Sequence, residues 1–267
     1  EAALAAARTR VTGTYTTAAH APVPPWTHGM LAEWDGRTLT VQGRMDAPFE
    51  VQRSLMHLFG LPASRVRALQ TGTWGGLGGA GAFASMVAAH AGLVAFKSGR
   101  PARLVYERAE DLAATHRRHA STTRIETGFD AHGRLVALTV DFAFDGGRSA
   151  LRASRLLARA ANQVTTAYPC ANTRVTGTVL ETHTVPSDDP GALGAPPLAF
   201  ALEAHLDASA RSLGLDPVEL RRRNLVREGL PSGSAEVWKA ARGFLEDQVR
   251  AGRRAFLYVA VADPHLP

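Results

Sequence analysis

Alternating polar and apolar residues predict a series of short β-strands along the chain. Residues 9–17 alternate in this way, and residues 38–42 do so after the turn Asp35-Gly36. Similar patterns predict further strands at residues 65–70, 103–107, 121–129, 134–144 and 174–182. The segments 121–129 and 134–144 flank a turn that ends in Gly133, so we expect them to pair antiparallel.

Apolar residues at helical spacing predict the helices. In residues 49–59, Val51, Leu55 and Leu58 mark one apolar face, and Gly60 ends the segment. Residues 83–97 are so strongly apolar that this helix should be buried on most faces. Further helices are predicted at residues 151–161 and 200–213.

The last well-defined helix has the clearest start. Asp216 is a good capping residue, Pro217 suits the first helical position, and Glu219 follows three positions after the cap. Across the chain, strands and helices are mixed without steady alternation. The fold class we predict is therefore α+β, with mixed sheets and packed helices, rather than a doubly wound sheet.

Composition excludes several classes of protein. A chain of 267 residues with 45% hydrophobic and 20% charged residues is typical of a globular protein. No apolar run is long enough to span a bilayer, and the first residues do not resemble a signal peptide, so we expect a cytoplasmic protein. The only cysteine, Cys170, excludes an internal disulfide and a four-thiolate iron–sulfur cluster held by this chain alone. We expect its thiol to be buried and unreactive.

The net charge of +6 comes almost entirely from arginine, because Lys97 and Lys239 are the only lysines. Excess positive charge can favour nucleic acid through phosphate contacts. Here the arginines are scattered and no known nucleic-acid-binding signature accompanies them. We therefore do not expect a nucleic-acid partner.

A glycine-rich stretch, TGTWGGLGGAG, begins at Thr71. Within it, residues 76–81 match G-x-G-x-x-G between a predicted strand and a helix, and Glu107 stands where a dinucleotide-binding fold would place its ribose-binding acid. However, residues 65–70 are too polar for a central parallel strand, and strand–helix alternation stops downstream. A nicotinamide site remains an alternative.

Five longer segments carry a family resemblance. They are HAPVPPWTHGMLAEWDGRTLTV from His20, LFGLPASRVRALQTGTWGGLGGAGAF from Leu58, SGRPARLVYERAEDLAATHRRHAS from Ser98, GALGAPPLAFALEAHLDASARSLG from Gly191, and LDPVELRRRNLVREG from Leu215. In this order they resemble the first molybdopterin-binding domain in the large subunit of the molybdenum hydroxylases, the xanthine dehydrogenase and aldehyde oxidase family. We expect residues 1–230 to form a region like that domain. Residues 231–267, with a helix from Glu236 and a strand at 255–262, resemble the truncated start of the family's second such domain.

The resemblance implies a cofactor, a reaction and partners. Family members hold a molybdenum–molybdopterin cofactor between two such domains and hydroxylate aldehydes or N-heterocycles with oxygen from water. Electrons leave through iron–sulfur clusters and a flavin, so domains or subunits that carry those groups are the expected partners. By the same resemblance, the cofactor contacts fall on Gly75, Gly76, Leu77, Gly78, Gly79 and Gly194.

One further residue is implicated by resemblance. Arg159 aligns with an arginine that orients substrate in the xanthine-oxidising branch. The alternative is that Arg152, Arg155 and Arg159 share one solvated helical face.

Four positions depart from the family pattern. Leu77 replaces a phenylalanine, Ala80 a lysine, and Asp46 a glutamine that contacts a molybdenum oxo group. At Asp46 a negative charge would repel the oxo group instead of donating to it. The segment from Gly191 replaces the family's arginine-glycine-phenylalanine-glycine motif. The family's catalytic glutamate belongs to a region that this chain does not include, so we assign no catalytic residue and no metal ligand here.

Other polar clusters point to ordinary structure. His116 and His119 are three residues apart, but the arginines between them would repel a metal cation. Asp188-Asp189 lies between two prolines and is typical of a polar turn. His20, His28 and His183 are expected to be surface histidines.

Three hypotheses follow. The chain is a fragment or split subunit of a molybdenum hydroxylase that is not catalytically complete alone, or a degenerate structural or assembly partner with the same fold. The third hypothesis is an unrelated dinucleotide-binding enzyme.

Overall fold

The computed structural model describes residues 2–72, 80–148, 153–188, 191 and 194–226. The strands are β1 (Thr9–Thr17), β2 (Gly29–Trp34), β3 (Leu39–Gly43), β4 (Val66–Gln70), β5 (Ala102–Val105), β6 (Ser121–Phe129), β7 (Leu135–Gly147) and β8 (Thr173–Glu181). The α-helices are α1 (Ala2–Ala5), α2 (Pro48–Phe59), α3 (Ala82–Ser98), α4 (Arg108–Ala114), α5 (Ala153–Thr166), α6 (Ala195–Leu213) and α7 (Pro217–Asn224). A 3₁₀ turn, Ala63–Arg65, precedes β4.

The longer strands form one sheet, which we call the large sheet, in the order β1-β6-β7-β8. β1 pairs antiparallel with β6 and β6 with β7, whereas β8 runs parallel to β7. A parallel neighbour requires a crossover connection, and α5 provides it. Helices α5 and α6 pack over one face of this sheet.

The core of this layer is mainly apolar but also buries the polar residues His205, Thr127 and Ser209. Ile125, Leu138 and Leu198 are each at most 1% exposed, and they represent a cluster that extends from the sheet to α6. His205 is fully buried among these residues. Its Nδ1 lies 3.0 Å from the hydroxyl of Tyr15, and its Nε2 lies 2.9 Å from the hydroxyl of Thr127. Burial lowers the pKa of His205 to about 4, so the imidazole is neutral at physiological pH.

The shorter strands form the small sheet, in the order β4-β3-β2-β5. β3 and β4 run parallel and are joined by α2, whereas β2 pairs antiparallel with both β3 and β5. Helices α2 and α3 cover one face. Leu39, Val41, Leu55 and Val87 are each at most 1% exposed and lie in the hydrophobic core of this second layer.

The predicted fold class is confirmed, and most predicted elements occur within a few residues of their expected bounds. Gly60 ends α2 in the left-handed conformation, and the Asp216 side chain accepts hydrogen bonds from the amides of Val218 and Glu219 at the start of α7. One strand and two helices, β2, α1 and α4, were not predicted, and neither was the 3₁₀ turn before β4. The predicted helix from Glu236 and the predicted strand at 255–262 lie outside the described residues.

The single thiol is half-buried rather than fully buried. Cys170 lies between α5 and β8 and packs against the core of the large-sheet layer. Burial raises the pKa of the thiol, which disfavours the reactive thiolate. As for membranes, none of the described helices combines the length and apolar character needed to cross a bilayer.

Candidate functional site

The small sheet brings two predicted site segments to one edge. Because β3 and β4 are parallel, their carboxyl ends lie side by side, with Asp46 after β3 and the glycine-rich segment after β4. The Thr71 amide donates to the Gly43 carbonyl at 2.9 Å, which holds the carboxyl ends of β3 and β4 together. In open α/β sheets the carboxyl edge is the usual place for a ligand. The predicted contact residues Gly75, Gly76, Leu77, Gly78 and Gly79 lie outside the described residues.

The far flank of the glycine-rich segment returns to Asp46. The Asp46 amide donates to the Ala80 carbonyl at 2.9 Å. The methyl group of Ala80 is buried, with 1% exposure, whereas the Asp46 side chain is exposed. Ala80 is therefore a core position in this chain, where the family's lysine would bury a charge.

The loop between β8 and α6 is fixed against the end of β7. The Ser187 amide donates to the Gly146 carbonyl at 2.9 Å. At Gly147, with φ +65°, an added Cβ would lie 2.0 Å from the carbonyl oxygen of Val185. Only glycine combines that backbone conformation with so close an approach.

This loop also contacts the segment that precedes β6. The Asp188 amide donates to the Arg117 carbonyl at 3.0 Å, and the Arg118 guanidinium donates to the Gly191 carbonyl at 3.1 Å. Gly191, the first residue of the segment that replaces the family's arginine-containing motif, is thus held beside residues 116–119.

Gly194 has a packing reason to be glycine. It begins α6 with φ +79°, and an added Cβ would lie 2.8 Å from Leu156 Cδ1 and 3.3 Å from the Leu156 carbonyl oxygen on α5. Its contact with a cofactor remains a prediction. Arg159 lies on the exposed side of α5, one residue before Ala160, which also approaches Gly194. Its role toward a substrate remains a prediction too.

A cluster of buried rings lies at the first turn of α3, directly after the glycine-rich segment. The ring of Phe83 is contacted edge-on by the imidazoles of His28 and His116, with centroids 5.2 and 5.0 Å away. His28 Nδ1 lies 2.6 Å from Asp111 Oδ1 on α4, and His116 Nδ1 lies 3.6 Å from Asp188 Oδ2. Both aspartates are buried, with 2% and 7% exposure. We call these five residues the aromatic junction.

One sequence prediction is wrong at this junction, and another missed a contact. His28 is not a surface residue, because only 9% of its side chain is exposed and it bonds to Asp111. Asp188 lies outside the helices and strands, as a loop residue should, but it is buried and its Oδ2 accepts from the Ala82 amide at 3.1 Å. That bond satisfies one of the unpaired amides at the start of α3. Neither partner is close in sequence, so local patterns carried no signal.

A cavity of about 380 Å³ opens on the small sheet next to the near flank of the glycine-rich segment. Its lining includes Trp26, Gln42, Arg44, Arg103 and Gly72. The guanidinium of Arg44 lies 4.3 Å from the centre of the Trp26 ring, and the buried Trp26 Nε1 makes no hydrogen bond among the described residues. Burial lowers the pKa of Arg44, an effect partly offset by Asp46.

The hydrogen-bond donors that line this cavity suit an anionic ligand such as part of a molybdopterin group. Two guanidinium groups and one unsatisfied indole N–H beside a glycine-rich segment match an anionic group such as a phosphate. The donor set therefore fits the anionic part of the cofactor. The Asp46 carboxylate does not fit as a donor to an oxo group.

The remaining predictions concern metals and nucleotides. Within the described part of the chain, no group of three or more His, Cys, Asp or Glu side chains could hold a metal ion. His119 is buried against Phe144, with ring centroids 5.8 Å apart. The nicotinamide alternative is wrong in its topology, because β4 is an edge strand and β5 pairs antiparallel with β2. Glu107 precedes α4 instead of ending a parallel strand.

Comparison with solved structures identifies the class of fold. The aldehyde oxidoreductase from Desulfovibrio gigas superposes with a TM-score of 0.76 at 21% identity, over 93% of this chain and 29% of that chain. The reconstituted CO dehydrogenase from Oligotropha carboxidovorans gives the same TM-score at 20% identity, over 94% of this chain and 34% of that chain. The fold is thus that of a domain found in large oxidoreductases.

Sequence comparison gives the family. The model for the molybdopterin cofactor-binding domain matches residues 1–225, and the chain belongs to this family. The nicotinate dehydrogenase large molybdopterin subunit of Eubacterium barkeri is 28% identical over 217 residues, which cover 81% of this chain and 51% of that protein. A probable xanthine dehydrogenase subunit of Bacillus subtilis is 31% identical over 197 residues, covering 74% and 26%. The predicted kinship with molybdenum hydroxylase large subunits is confirmed, and the chain spans about half or less of these relatives.

Proposed function

We propose that this chain supplies one wall of a molybdenum–molybdopterin site in a larger molybdenum hydroxylase and is not catalytically complete by itself. The observation that carries the proposal is the convergence of three distant segments at one edge of the small sheet. Asp46 and Ala80 meet there, and the loop with Asp188 reaches the helix that follows Ala80. Membership of the molybdopterin cofactor-binding family supports the choice of ligand for this edge.

When bound, the cofactor would supply the oxidising centre for hydroxylation of an aldehyde or an N-heterocycle. The chain's own contribution is to hold and orient it. Backbone amides of Gly75, Gly76, Leu77, Gly78 and Gly79 would meet an anionic part of the cofactor, because missing side chains allow close approach. The indole of Trp26 and the guanidinium of Arg44 add donors at the near flank.

The rest of the enzyme must come from elsewhere. The chain spans 51% of the nicotinate dehydrogenase large subunit and 26% of the Bacillus subtilis relative, both of which are named as subunits. We infer that further domains or subunits, carrying a general base, iron–sulfur clusters and a flavin, complete the catalyst. Without a general base, proton transfer would lose a factor of roughly 10²–10⁴ in rate.

Molybdenum analysis tests the proposal. The 267-residue chain, purified from a host that makes molybdopterin, should contain molybdenum by inductively coupled plasma mass spectrometry. Gly78→Val should abolish that content, because the side chain would block close approach to the backbone. Gly92→Ala within α3 is the control, since its φ is not positive and an added Cβ makes only ordinary contacts at 3.5 Å. Metal-free wild-type protein, or equal content in both variants, would contradict the proposal.

A second candidate function is a degenerate structural or assembly partner with the same fold. Two observations favour it: the exposed carboxylate at Asp46 and the buried methyl group of Ala80. Both positions lack the polar donors that the family resemblance places there. The fold itself does not need those donors, so it could persist after binding is lost.

Restoring the glutamine separates the two candidates. If the site still binds, Asp46→Gln should raise the molybdenum content, because it removes a carboxylate that repels an anionic cofactor. Glu33→Gln on β2 makes the same charge change at another exposed position and should have no effect. If the wild-type chain and both variants are free of molybdenum, the degenerate partner is supported.

A further inference from the structure

Asp188 is not among the residues proposed to contact the cofactor, yet it joins the two segments that flank the site. It belongs to the loop before α6, which continues to Gly191. Its carboxylate accepts from the Ala82 amide at 3.1 Å, in the first turn of the helix that follows the glycine-rich segment. Its own amide donates to the Arg117 carbonyl at 3.0 Å. One buried residue therefore bonds to two other parts of the chain.

The aromatic junction gives this contact a rigid setting. Phe83, the residue after Ala82, is 2% exposed and held edge-on between the imidazoles of His28 and His116. His116 Nδ1 lies 3.6 Å from Asp188 Oδ2, so the carboxylate that caps α3 also lies next to one of the two rings. The His28–Asp111 pair holds the opposite side at 2.6 Å. Polar pairs this well buried have few alternative arrangements.

We propose that Asp188 is a positioning residue that sets where the start of α3, which follows the glycine-rich segment in sequence, meets the loop carrying Gly191 and Gly194. It acts through the first turn of α3, not by touching a cofactor. This inference rests on the proposed function in one respect only: the cofactor is the reason for fixing these loops. The mechanical part, that Asp188 holds residues 80–86 in place, stands independently of any ligand.

Three variants distinguish positioning from general stability. Asp188→Ala removes the acceptor from the Ala82 amide, whereas Asp188→Asn keeps an acceptor of the same length. Asp216→Ala is the matched control, because Asp216 also caps a helix through its carboxylate, at α7 and away from the site. Losing either cap should lower the melting temperature by a similar amount.

The first measurement is amide hydrogen exchange on the cofactor-free chain. Asp188→Ala should speed exchange in residues 80–86 about fivefold, as expected for the loss of one helix cap, and Asp188→Asn should restore near-wild-type rates. Asp216→Ala should speed exchange only in residues 217–224. Unchanged exchange in 80–86 for Asp188→Ala would overturn the proposal, whatever the protein binds.

The second measurement is molybdenum content after expression in a host that makes molybdopterin. Asp188→Ala should lose about fivefold in content relative to wild type, while Asp188→Asn and Asp216→Ala should stay within about twofold. A loss in Asp216→Ala equal to that in Asp188→Ala would reduce Asp188 to a stability residue. Wild-type protein without molybdenum would contradict the proposed function but leave the exchange result to decide on Asp188.

Discussion

The two sheets of this molecule have outer faces of opposite character. On the large sheet, the face away from α5 and α6 pairs charges across strands, as in Arg10 with Glu126 and Arg174 with Asp141. On the small sheet, the corresponding face exposes Leu31, Leu69 and Val105, each about half exposed. These apolar residues are interleaved with polar ones such as Gln42 and Arg103 in neighbouring register positions.

The two layers also differ in where they bury polar groups. The large-sheet layer buries a polar network around His205 within its core, whereas the small-sheet layer buries His28 with Asp111 at the aromatic junction, beside the candidate site. The large sheet thus combines a charged surface with a polar element in its core. The small sheet combines a partly apolar surface with buried polar groups beside the candidate site. We therefore expect the large-sheet layer to contribute most to stability and the small-sheet layer to carry ligand binding. The following predictions test this contrast.

Lowering the pH should produce the largest change in the free energy of unfolding, and it should do so through His205 in the large-sheet layer. The folded-state pKa of His205 is about 4, below the ordinary value of 6.5, so the unfolded state binds more protons between these values. The contribution of His205 to the free energy of unfolding should therefore be fully present above pH 6.5. It should fall by about 3 kcal/mol as the pH decreases toward 4. Denaturant unfolding at several pH values measures it.

The control for this effect is His205→Gln, which can still donate and accept but does not titrate. Between pH 6.5 and 4 its unfolding free energy should change less than that of the wild type by the same amount. Parallel curves for the two proteins would show that His205 is not the source.

Replacing glycines should give the next largest loss in the free energy of unfolding. That loss should be larger at Gly194 in the large-sheet layer than at Gly60 in the small-sheet layer. Gly194→Ala meets Leu156 on α5 at 2.8 Å in the large-sheet layer, and its φ is also positive, so we expect a loss of about 2 kcal/mol. Gly60→Ala at the end of α2 has positive φ but nothing within 4 Å, so about 1 kcal/mol is expected. Thermal unfolding of both variants compares them, and equal losses would contradict the packing argument.

Charging the small-sheet face should change dye binding more than stability. Leu31→Lys with Leu69→Lys should reduce fluorescence of a hydrophobic-surface dye, with a stability change within about 0.5 kcal/mol. Thr12→Lys with Thr176→Lys adds the same charges to exposed positions of the large sheet and should leave the dye signal unchanged. Absence of dye binding by the wild-type chain would contradict the contrast between the two faces.

The smallest effect should come from the charged face. Arg174 and Asp141 lie 3.8 Å apart with 61% and 46% of their side chains exposed. Solvent screens such a pair, so Arg174→Ala should cost less than about 0.5 kcal/mol. The difference should disappear at about 1 M salt, where the Debye length is near 3 Å. A loss that persists in high salt would point to a packing role for the arginine stem.

Local chemistry explains which parts of the fold were predictable. The cap at Asp216 and the end of α2 at Gly60 depend on residues within one turn, and both were predicted. β2 was missed although Met30 and Ala32 alternate with exposed residues, because the strand is short and few buried positions mark it. That alternation was the signal that could have found it.

The candidate site was predictable only in part. Asp46 and the glycine-rich segment were recognised by family resemblance, and the structure places their flanks together. The aromatic junction was not predictable, because His28 and Asp111 are 83 positions apart, and Ala82 and Asp188 are 106 apart. A histidine or aspartate with polar neighbours in sequence is typical of the surface, and only the packing of distant segments around the start of α3 buries these.

The half-buried Cys170 is a natural labelling site that can report local opening of the large-sheet layer. It is the chain's one cysteine and packs against that layer's core, with its thiol pKa raised by burial. At neutral pH a thiol-specific reagent should modify it slowly in the folded state and rapidly whenever the region between α5 and β8 opens. The labelling rate would therefore report local opening at one defined position, without an introduced probe. Circular dichroism would not resolve these events, because its signal is an average over the whole chain.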